Sequence, residues 1–203
     1  MRTWLVLAFA LVVGGCTTAP TREPAADPER AWQARRADLA GLEQWRLTGR
    51  IAIRTEGEGW HATLDWRQDR RRYDIRLIGP LGQGTVRLQG GPGRVSLQTE
   101  DGQTTAADPE WLLYRNLGWR VPVEALRYWV LGLPAPGSAR ERELDRYGRL
   151  ARLEQADWRI EFRDYERRGG YELPSRIFVR NHRAQVRLVV GQWRLSQPQG
   201  EPG

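Results

Sequence analysis

Apolar and polar residues alternate with a period of two through most of the chain. Clear runs cover residues 45–55, 60–67 and 72–78, and shorter ones follow between Gly- and Pro-containing turns. Successive side chains of a strand point to opposite faces, so each run places apolar residues on one face and polar residues on the other, many of them Arg in 45–55 and 72–78. The pattern predicts consecutive antiparallel strands. Further strands are predicted around Val86 and Leu88, around Val95 and Leu97, at 103–106, around Leu150 and Leu153, and at 158–162, 176–180, 185–190 and 193–195.

Three segments carry helical signals. The first has three apolar side chains that can share one face, and the second has Asp-Pro-Glu at its start and Gly118 after its end. The third is apolar nearly all round, which predicts that it is buried. The predicted helices run from 27 or 28 to 44, from 108 to 117 and from 122 to 131.

About ten strands around two short buried helices predict a mainly β fold with a strongly curved, incompletely closed sheet. The expected architecture is an unclosed antiparallel β-barrel of ten or eleven strands, with helices that cover or plug a hydrophobic cavity. Core filling alone would also explain the apolar face. The inward residues are therefore either cavity walls or ordinary core.

The chain begins with the short basic segment Met1-Arg2-Thr3, followed by an apolar run from Trp4 to Val13, which is typical of a secretory signal. The run ends in Val13-Gly14-Gly15-Cys16, which resembles the lipobox of bacterial lipoproteins. There the thiol receives a diacylglyceryl group, the signal is cut before the Cys, and the new amino group is acylated. An ordinary signal with a chance Cys is the alternative. The predicted organisation is a signal at 1–15, a flexible lipidated tether at 16–29, one domain at 30–195 and a disordered tail at 196–203.

Composition narrows the possible chemistry. A single Cys excludes an intramolecular disulfide framework and multi-Cys metal sites, and two His leave little for a His-rich site. Residues 79–84 are glycine-rich but lack the Lys and the following helix of a phosphate loop, and neither His accompanies a nucleophile-elbow pattern. We therefore expect no enzyme activity, metal or cofactor. All 32 basic residues are Arg, and together with 25 acidic residues they give a formal charge of +7. Despite this positive charge, nucleic acid is not an expected partner of a secreted lipoprotein.

The layout resembles the LolB family, the outer-membrane receptors of the bacterial lipoprotein localisation system. The likeness rests on the motif at Cys16, the helix followed by residues 45–53, the loop Gly79-Pro80-Leu81-Gly82 and the segment 121–134. The strands that contain Trp158 and Trp193 correspond as well. It covers nearly the whole mature body in the same order, and the chain departs from the pattern mainly in its abundance of Arg.

This resemblance implies a location and a function. The protein would be lipid-anchored in the periplasmic leaflet of the outer membrane, as a monomer. It would accept lipoproteins from a periplasmic carrier of the LolA type, hold their acyl chains in its cavity, and insert them among outer-membrane phospholipids without nucleotide hydrolysis. Two rivals stay open: a structural or interaction lipoprotein with a filled core and no acyl-chain cavity, and a carrier of a different lipid.

The predicted site residues follow from the loop and from the strand periodicity. Leu81, between Pro80 and Gly82, is expected to protrude and to assist membrane insertion, as the matching Leu does in the family. The alternative is a Leu that folds back over the end of the sheet. The strand and helix patterns nominate ten residues as walls of the acyl cavity: Trp45, Leu47, Ile51, Leu64, Trp66, Ile75, Leu77, Leu126, Trp129 and Leu133.

Overall fold

A single antiparallel sheet of eleven strands forms most of the molecule. The computed structural model describes residues 23–55, 57–82 and 84–196, so Cys16 and the predicted signal lie outside the described residues. The strands are β1 (Gln44–Thr55), β2 (Gly59–Asp69), β3 (Arg72–Ile78), β4 (Val86–Gly91), β5 (Arg94–Thr99), β6 (Gly102–Ala106), β7 (Ala139–Leu144), β8 (Leu150–Gln155), β9 (Trp158–Arg168), β10 (Tyr171–Arg180) and β11 (Ala184–Leu195).

The sheet order is β6-β5-β4-β3-β2-β1-β11-β10-β9-β8-β7. Strands that follow each other in sequence pair, except β6 and β7, and the first and last strands, β1 and β11, pair to join the two halves. β6 and β7 form the outer edges and do not pair with each other, so the barrel stays open. The predicted fold class, an unclosed antiparallel sheet with helices, is confirmed.

Three helices accompany the sheet: α1 (Pro28–Ala40), α2 (Pro109–Leu117) and α3 (Val123–Trp129). Asp27 caps α1 and Asp108 caps α2, each accepting a hydrogen bond from a backbone N–H of the first turn. Gly118 ends α2 in the left-handed conformation with φ of 69°. The predicted extension of the first helix to residue 44 is wrong, because Gly41 caps that helix and β1 begins at Gln44.

A β-bulge lies at the junction of the two halves of the sheet. Thr48 pairs with Gln192 and Gly49 pairs with Val190, so Gly191 has no partner on β1. A Cβ added to Gly49 would lie 2.4 Å from the Val189 carbonyl oxygen, which explains the glycine. The two predicted strands at 185–190 and 193–195 are one strand, because the bulge changes the alternation between them.

Strand β7 was not among the predicted strands. Its sequence, AREREL, is charged at most positions, and only its last residue is half-buried. An edge strand rich in charge has no apolar face for periodicity to detect, and such residues discourage pairing with other chains.

The core occupies the concave side of the sheet, and the convex side carries ion pairs. Arg46 Nη2 lies 2.5 Å from Asp65 Oδ2, and Arg87 Nη2 lies 2.6 Å from Asp74 Oδ2. These arginine hydrogen bonds lower the pKa of both carboxyl groups. The prediction that Arg-rich positions face solvent therefore holds for these strands. Within the described ranges, no helix is long and apolar enough to cross a membrane.

Candidate functional site

A fully apolar cavity of about 60 Å³ lies between the concave face of the sheet and the segment that contains α2 and α3. Hydrophobic residues from both halves of the sheet and from this segment surround it. The lining residues are Ile51, Ile53, Leu64, Trp66, Ile75, Leu77, Val86, Leu88, Leu113, Trp119, Val121, Val123, Leu126, Val130, Ile177, Val179, Val186 and Leu188.

Six of the ten residues nominated from the sequence line this cavity: Ile51, Leu64, Trp66, Ile75, Leu77 and Leu126. The other four, Trp45, Leu47, Trp129 and Leu133, are buried elsewhere in the same core. The strand periodicity selected the concave face but could not say how far the cavity extends along it. Contact of any of these side chains with acyl chains stays a prediction.

Periodicity alone did not nominate twelve of the lining residues. Four come from β10 and β11, the second half of the sheet, five come from the segment that contains α2 and α3, and three come from β1 and β4. The sequence did carry a signal for the lining residues of β10 and β11, since the apolar alternation had already predicted those two strands. What the sequence could not give is which strands curve toward the helices.

Indole N–H groups near the cavity are bound to buried glutamines. Trp66 Nε1 donates to Gln68 Oε1 at 2.9 Å, and Gln68 Nε2 donates to the Arg70 carbonyl at 2.8 Å. Trp129 Nε1 donates likewise to Gln155 Oε1, at 3.1 Å. These bonds satisfy the polar atoms of the Trp rings, so the Trp66 wall of the cavity is apolar.

The helix α3 is attached to the sheet margin by an arginine. Arg127 Nη2 donates to Tyr128 Oη at 2.5 Å, and Arg127 Nη1 lies 3.4 Å from the Arg70 carbonyl oxygen in the turn after β2. The Arg127 guanidinium also lies over the Tyr128 ring, 4.5 Å from its centroid. Tyr128 lies on α3 itself, so the polar contacts described here between this helix and the sheet side are those of Arg127 with the Arg70 carbonyl and of Trp129 with Gln155.

The hydroxyl of Tyr73 lies beside Gly90 of the paired strand β4, where an added Cβ would come within 2.5 Å of it. Tyr73 is 7% exposed, and its Oη has no hydrogen-bond partner among the described residues. Burial, with smaller effects from the Glu124 and Asp108 carboxylates, raises the pKa of this phenol well above its ordinary value. The group is neutral at physiological pH and adds no charge to the core.

In this conformation the cavity is too small for a lipid chain. Ligand pockets usually measure on the order of 300–1,000 Å³, and an engineered cavity of about 150 Å³ holds only benzene. The observed 60 Å³ is well below both. An acyl chain can occupy this core only if side chains repack or the helical segment moves away from the sheet.

A second candidate element is the short 3-10 turn Pro80–Gly82, which follows β3. Leu81 at its centre is 98% exposed and has φ of 59° and ψ of 18°. A branched residue in the left-handed region is strained by about 1–2 kcal/mol. The alternative in which Leu81 folds back over the sheet is wrong. The turn presents an apolar side chain to the surroundings, and its membrane role stays a prediction.

Other predicted features contribute no further site. Cys16, the expected lipidation residue, lies outside the described residues. Among the residues described, no group of three or more His, Cys, Asp or Glu is placed to hold a metal ion. The glycine-rich segment 79–84 leads into the strand β4.

Comparison with known proteins adds an independent finding. Residues 43–193 match the family described as outer membrane lipoprotein LolB. The chain belongs to the LolB family. An outer-membrane lipoprotein LolB of Nitrosococcus oceani is 40% identical over 196 residues, which cover 96% of this chain and 98% of that protein. One from Stutzerimonas stutzeri is also 40% identical, over 97% of both chains.

A solved structure shares the fold of this chain. A LolA superfamily protein from Nitrosomonas europaea has a TM-score of 0.54 at 9% identity, covering 86% of this chain and 96% of that one. This likeness shows a shared fold alone. Membership of the LolB family confirms the predicted outer-membrane, lipid-anchored location and a role in lipoprotein localisation.

Proposed function

We propose that this protein accepts lipoproteins from a soluble periplasmic carrier of the LolA type, holds their acyl chains against its concave core and inserts them into the outer membrane. The observation that carries this proposal is the wholly apolar lining between the sheet and the α2–α3 segment. Each buried methylene contributes about 0.8 kcal/mol, so acyl chains need an apolar cover in the aqueous periplasm.

The proposal requires an opened conformation. Displacement of α3 breaks the contact of Arg127 with the Arg70 carbonyl and the hydrogen bond of Trp129 to Gln155. It also exposes Val123, Leu126 and Val130, which face the cavity. Acyl chains that enter then cover the same apolar surface. Opening and lipid binding are thus coupled, because the lipid offsets the cost of separating the helix from the sheet.

Transfer needs only a gradient of affinity. The core must hold acyl chains more tightly than the carrier does and less tightly than the bilayer does. A small preformed cavity would hold acyl chains less tightly than the bilayer does, because the core returns to its closed packing when the lipid leaves. We therefore propose that no nucleotide is hydrolysed during this step.

We assign Leu81 a role in the delivery of lipoprotein to the membrane. Its side chain projects from a turn beside the sheet rather than from the core, so it is free to enter the membrane interface when the body approaches. A single exposed leucine adds a modest affinity, about 1.5–3 kcal/mol when fully buried. This contribution suits a contact that forms and breaks during delivery.

One observation favours a second function. The cavity measures only about 60 Å³, as expected for a structural or interaction lipoprotein with a filled core. In that case the concave side would never open, and the sheet surface would bind proteins.

A mixing experiment separates the two functions. Carrier loaded with a triacylated lipoprotein is incubated with this protein, and the two proteins are then separated by affinity capture. We expect the lipoprotein to move to this protein without ATP and then to phospholipid vesicles. A lipoprotein that stays on the carrier contradicts the receptor function and supports the filled-core alternative.

A further inference from the structure

A groove of about 660 Å³ lies on the convex face, between the Leu81 turn and the central strands. The pairing places Val189, Arg50, Thr63 and Ile78 in one cross-strand row. The neighbouring row contains Arg187, Ala52 and His61. All these side chains point away from the core, and Ile51 is the one described residue that lines both the groove and the apolar cavity.

The groove combines an apolar rim with cations that form no ion pair among the residues that the structure describes. Its charged or titratable lining residues are Arg50, Arg187 and His61, and no carboxylate is among the described residues that line it. Within the described ranges neither arginine forms an ion pair, although the Arg187 guanidinium lies 5.3 Å from the centre of the Phe178 ring. Ile78 and Leu81, both exposed, form the rim on the side of the turn.

Most convex-face cations elsewhere are already neutralised. Arg46 and Arg87 are bound to aspartates, and Arg163 and Arg180 share Glu161. Arg54, Arg67 and Arg194, on β1, β2 and β11, also form no ion pair among the described residues, but they lie outside the groove. Arg50 and Arg187 are thus the arginines that line the groove and retain the capacity to bind an external anion. Guanidinium groups bind phosphate oxygens with two parallel hydrogen bonds, so this pair suits a phosphate.

The position of the groove beside Leu81 selects the source of that phosphate. The headgroup layer of one leaflet is roughly 5–8 Å thick and lies immediately outside the hydrocarbon. A leucine that enters the hydrocarbon edge therefore places the base of its turn at the level of the phosphates. Basic side chains near a negatively charged membrane surface are attracted to it, and the free energy of this attraction grows with each arginine.

We propose that this groove binds the phosphate of a membrane phospholipid, with Arg50 and Arg187 as its anchoring cations. The inference rests on the proposed function, because it uses Leu81 as the inserting residue. Headgroup binding orients the body on its tether, so that the turn faces the bilayer each time lipoprotein is delivered.

Vesicle flotation tests the groove. The probe is residues 16–203 with Cys16→Ala, which lacks the lipid anchor but keeps the core, since every core residue lies between Trp32 and Trp193. Vesicles contain phosphatidylethanolamine with phosphatidylglycerol. The variant Arg50→Gln/Arg187→Gln is compared with Arg67→Gln/Arg194→Gln, which removes equal charge from exposed positions of the same sheet outside the groove.

We expect the groove variant to bind vesicles roughly thirtyfold more weakly and the control variant to lose much less. Equal losses in both variants mean a general charge effect and overturn the site. Unchanged binding by the groove variant also overturns it.

A second readout separates this inference from the proposed function and from an acidic protein partner. The groove variant should still accept lipoprotein from the carrier at the normal rate. Lost acceptance with normal flotation means that the groove binds the carrier, and the phospholipid assignment is then wrong. If the unaltered chain takes up no lipoprotein, the proposed function fails, while the flotation result still decides the groove.

Discussion

The Trp45 ring packs against the Trp66 ring, with centroids 5.2 Å apart and planes at 57°. Only one of the two lines the apolar cavity: Trp66 forms part of its wall, whereas Trp45 lies behind it and also contacts Trp193 at 5.3 Å. Adjacent aromatic residues of one cluster therefore have separable roles, one toward the cavity and one in the supporting core.

The first prediction concerns Trp45. Trp45→Ala should lower the free energy of unfolding by about 3–5 kcal/mol, because it leaves a void within the aromatic cluster. The milder Trp45→Phe should cost less and leave acyl affinity of the folded protein unchanged. Denaturant titration and a lipid-binding assay measure these effects. A Trp45→Phe protein that is stable yet has lost lipid binding would place Trp45 in the site.

The second prediction uses the strained backbone at Leu81. Asn tolerates the left-handed region better than Leu does, so Leu81→Asn should keep or raise the free energy of unfolding, by up to about 1 kcal/mol. The same variant should accept lipoprotein normally but deliver it poorly to vesicles. Stability and delivery then change in different directions. Normal delivery by Leu81→Asn would refute the membrane role of this turn.

The third prediction concerns the attachment of α3. Arg127→Ala removes the contacts with Tyr128 and with the Arg70 carbonyl and should cost about 1 kcal/mol of stability. Because the helix then separates from the sheet more readily, a fluorescent fatty acid should bind faster in stopped-flow mixing. Arg115→Ala, at an exposed position on α2, serves as the matched control. Equal binding rates in all three proteins would mean that α3 does not limit opening.

The fourth prediction is a pH dependence. The Arg46 hydrogen bond holds the pKa of Asp65 below its ordinary value, so the pair stabilises the fold above about pH 4. That stability is lost as the pH falls through the lowered pKa, because the carboxylate becomes protonated. Arg46→Gln should remove up to about 1 kcal/mol at neutral pH and flatten the acid limb of the unfolding curve.

Arg194→Gln is the control for that experiment, because Arg194 lies opposite Arg46 on the neighbouring strand and is exposed. Its acid limb should match that of the unaltered protein. If Arg46→Gln also retains the full acid dependence, the Asp65 pair does not cause it.

Strand periodicity predicted most of this fold because most strands bury one face. The inward positions of β1 to β3 were assigned correctly, and Leu64 and Trp66 both reach the cavity. Periodicity did not predict a strand correctly where no face is buried or where a bulge interrupts the alternation. β7 buries no face, and the bulge at Gly191 shifts the alternation of β11 by one residue.

The site was predicted only in part, for a similar reason. Leu81 stood out because an apolar residue between Pro and Gly cannot join a strand. Trp119, by contrast, reaches the cavity from the link between two helices and packs against Trp60 with ring centroids 5.0 Å apart. Its position depends on how that link folds across the sheet, which no local pattern encodes.

The central claim is that acyl chains enter the space between the sheet and α2–α3. Brominated fatty acids quench tryptophan fluorescence on contact, and Trp66 and Trp119 line the cavity whereas Trp158 and Trp193 do not. The experiment therefore compares the quenching of tryptophan fluorescence in two double variants, Trp66→Phe/Trp119→Phe and Trp158→Phe/Trp193→Phe. We expect the first variant to lose most of the quenching and the second to retain it. Equal quenching in both, or none in the unaltered protein, would contradict the account.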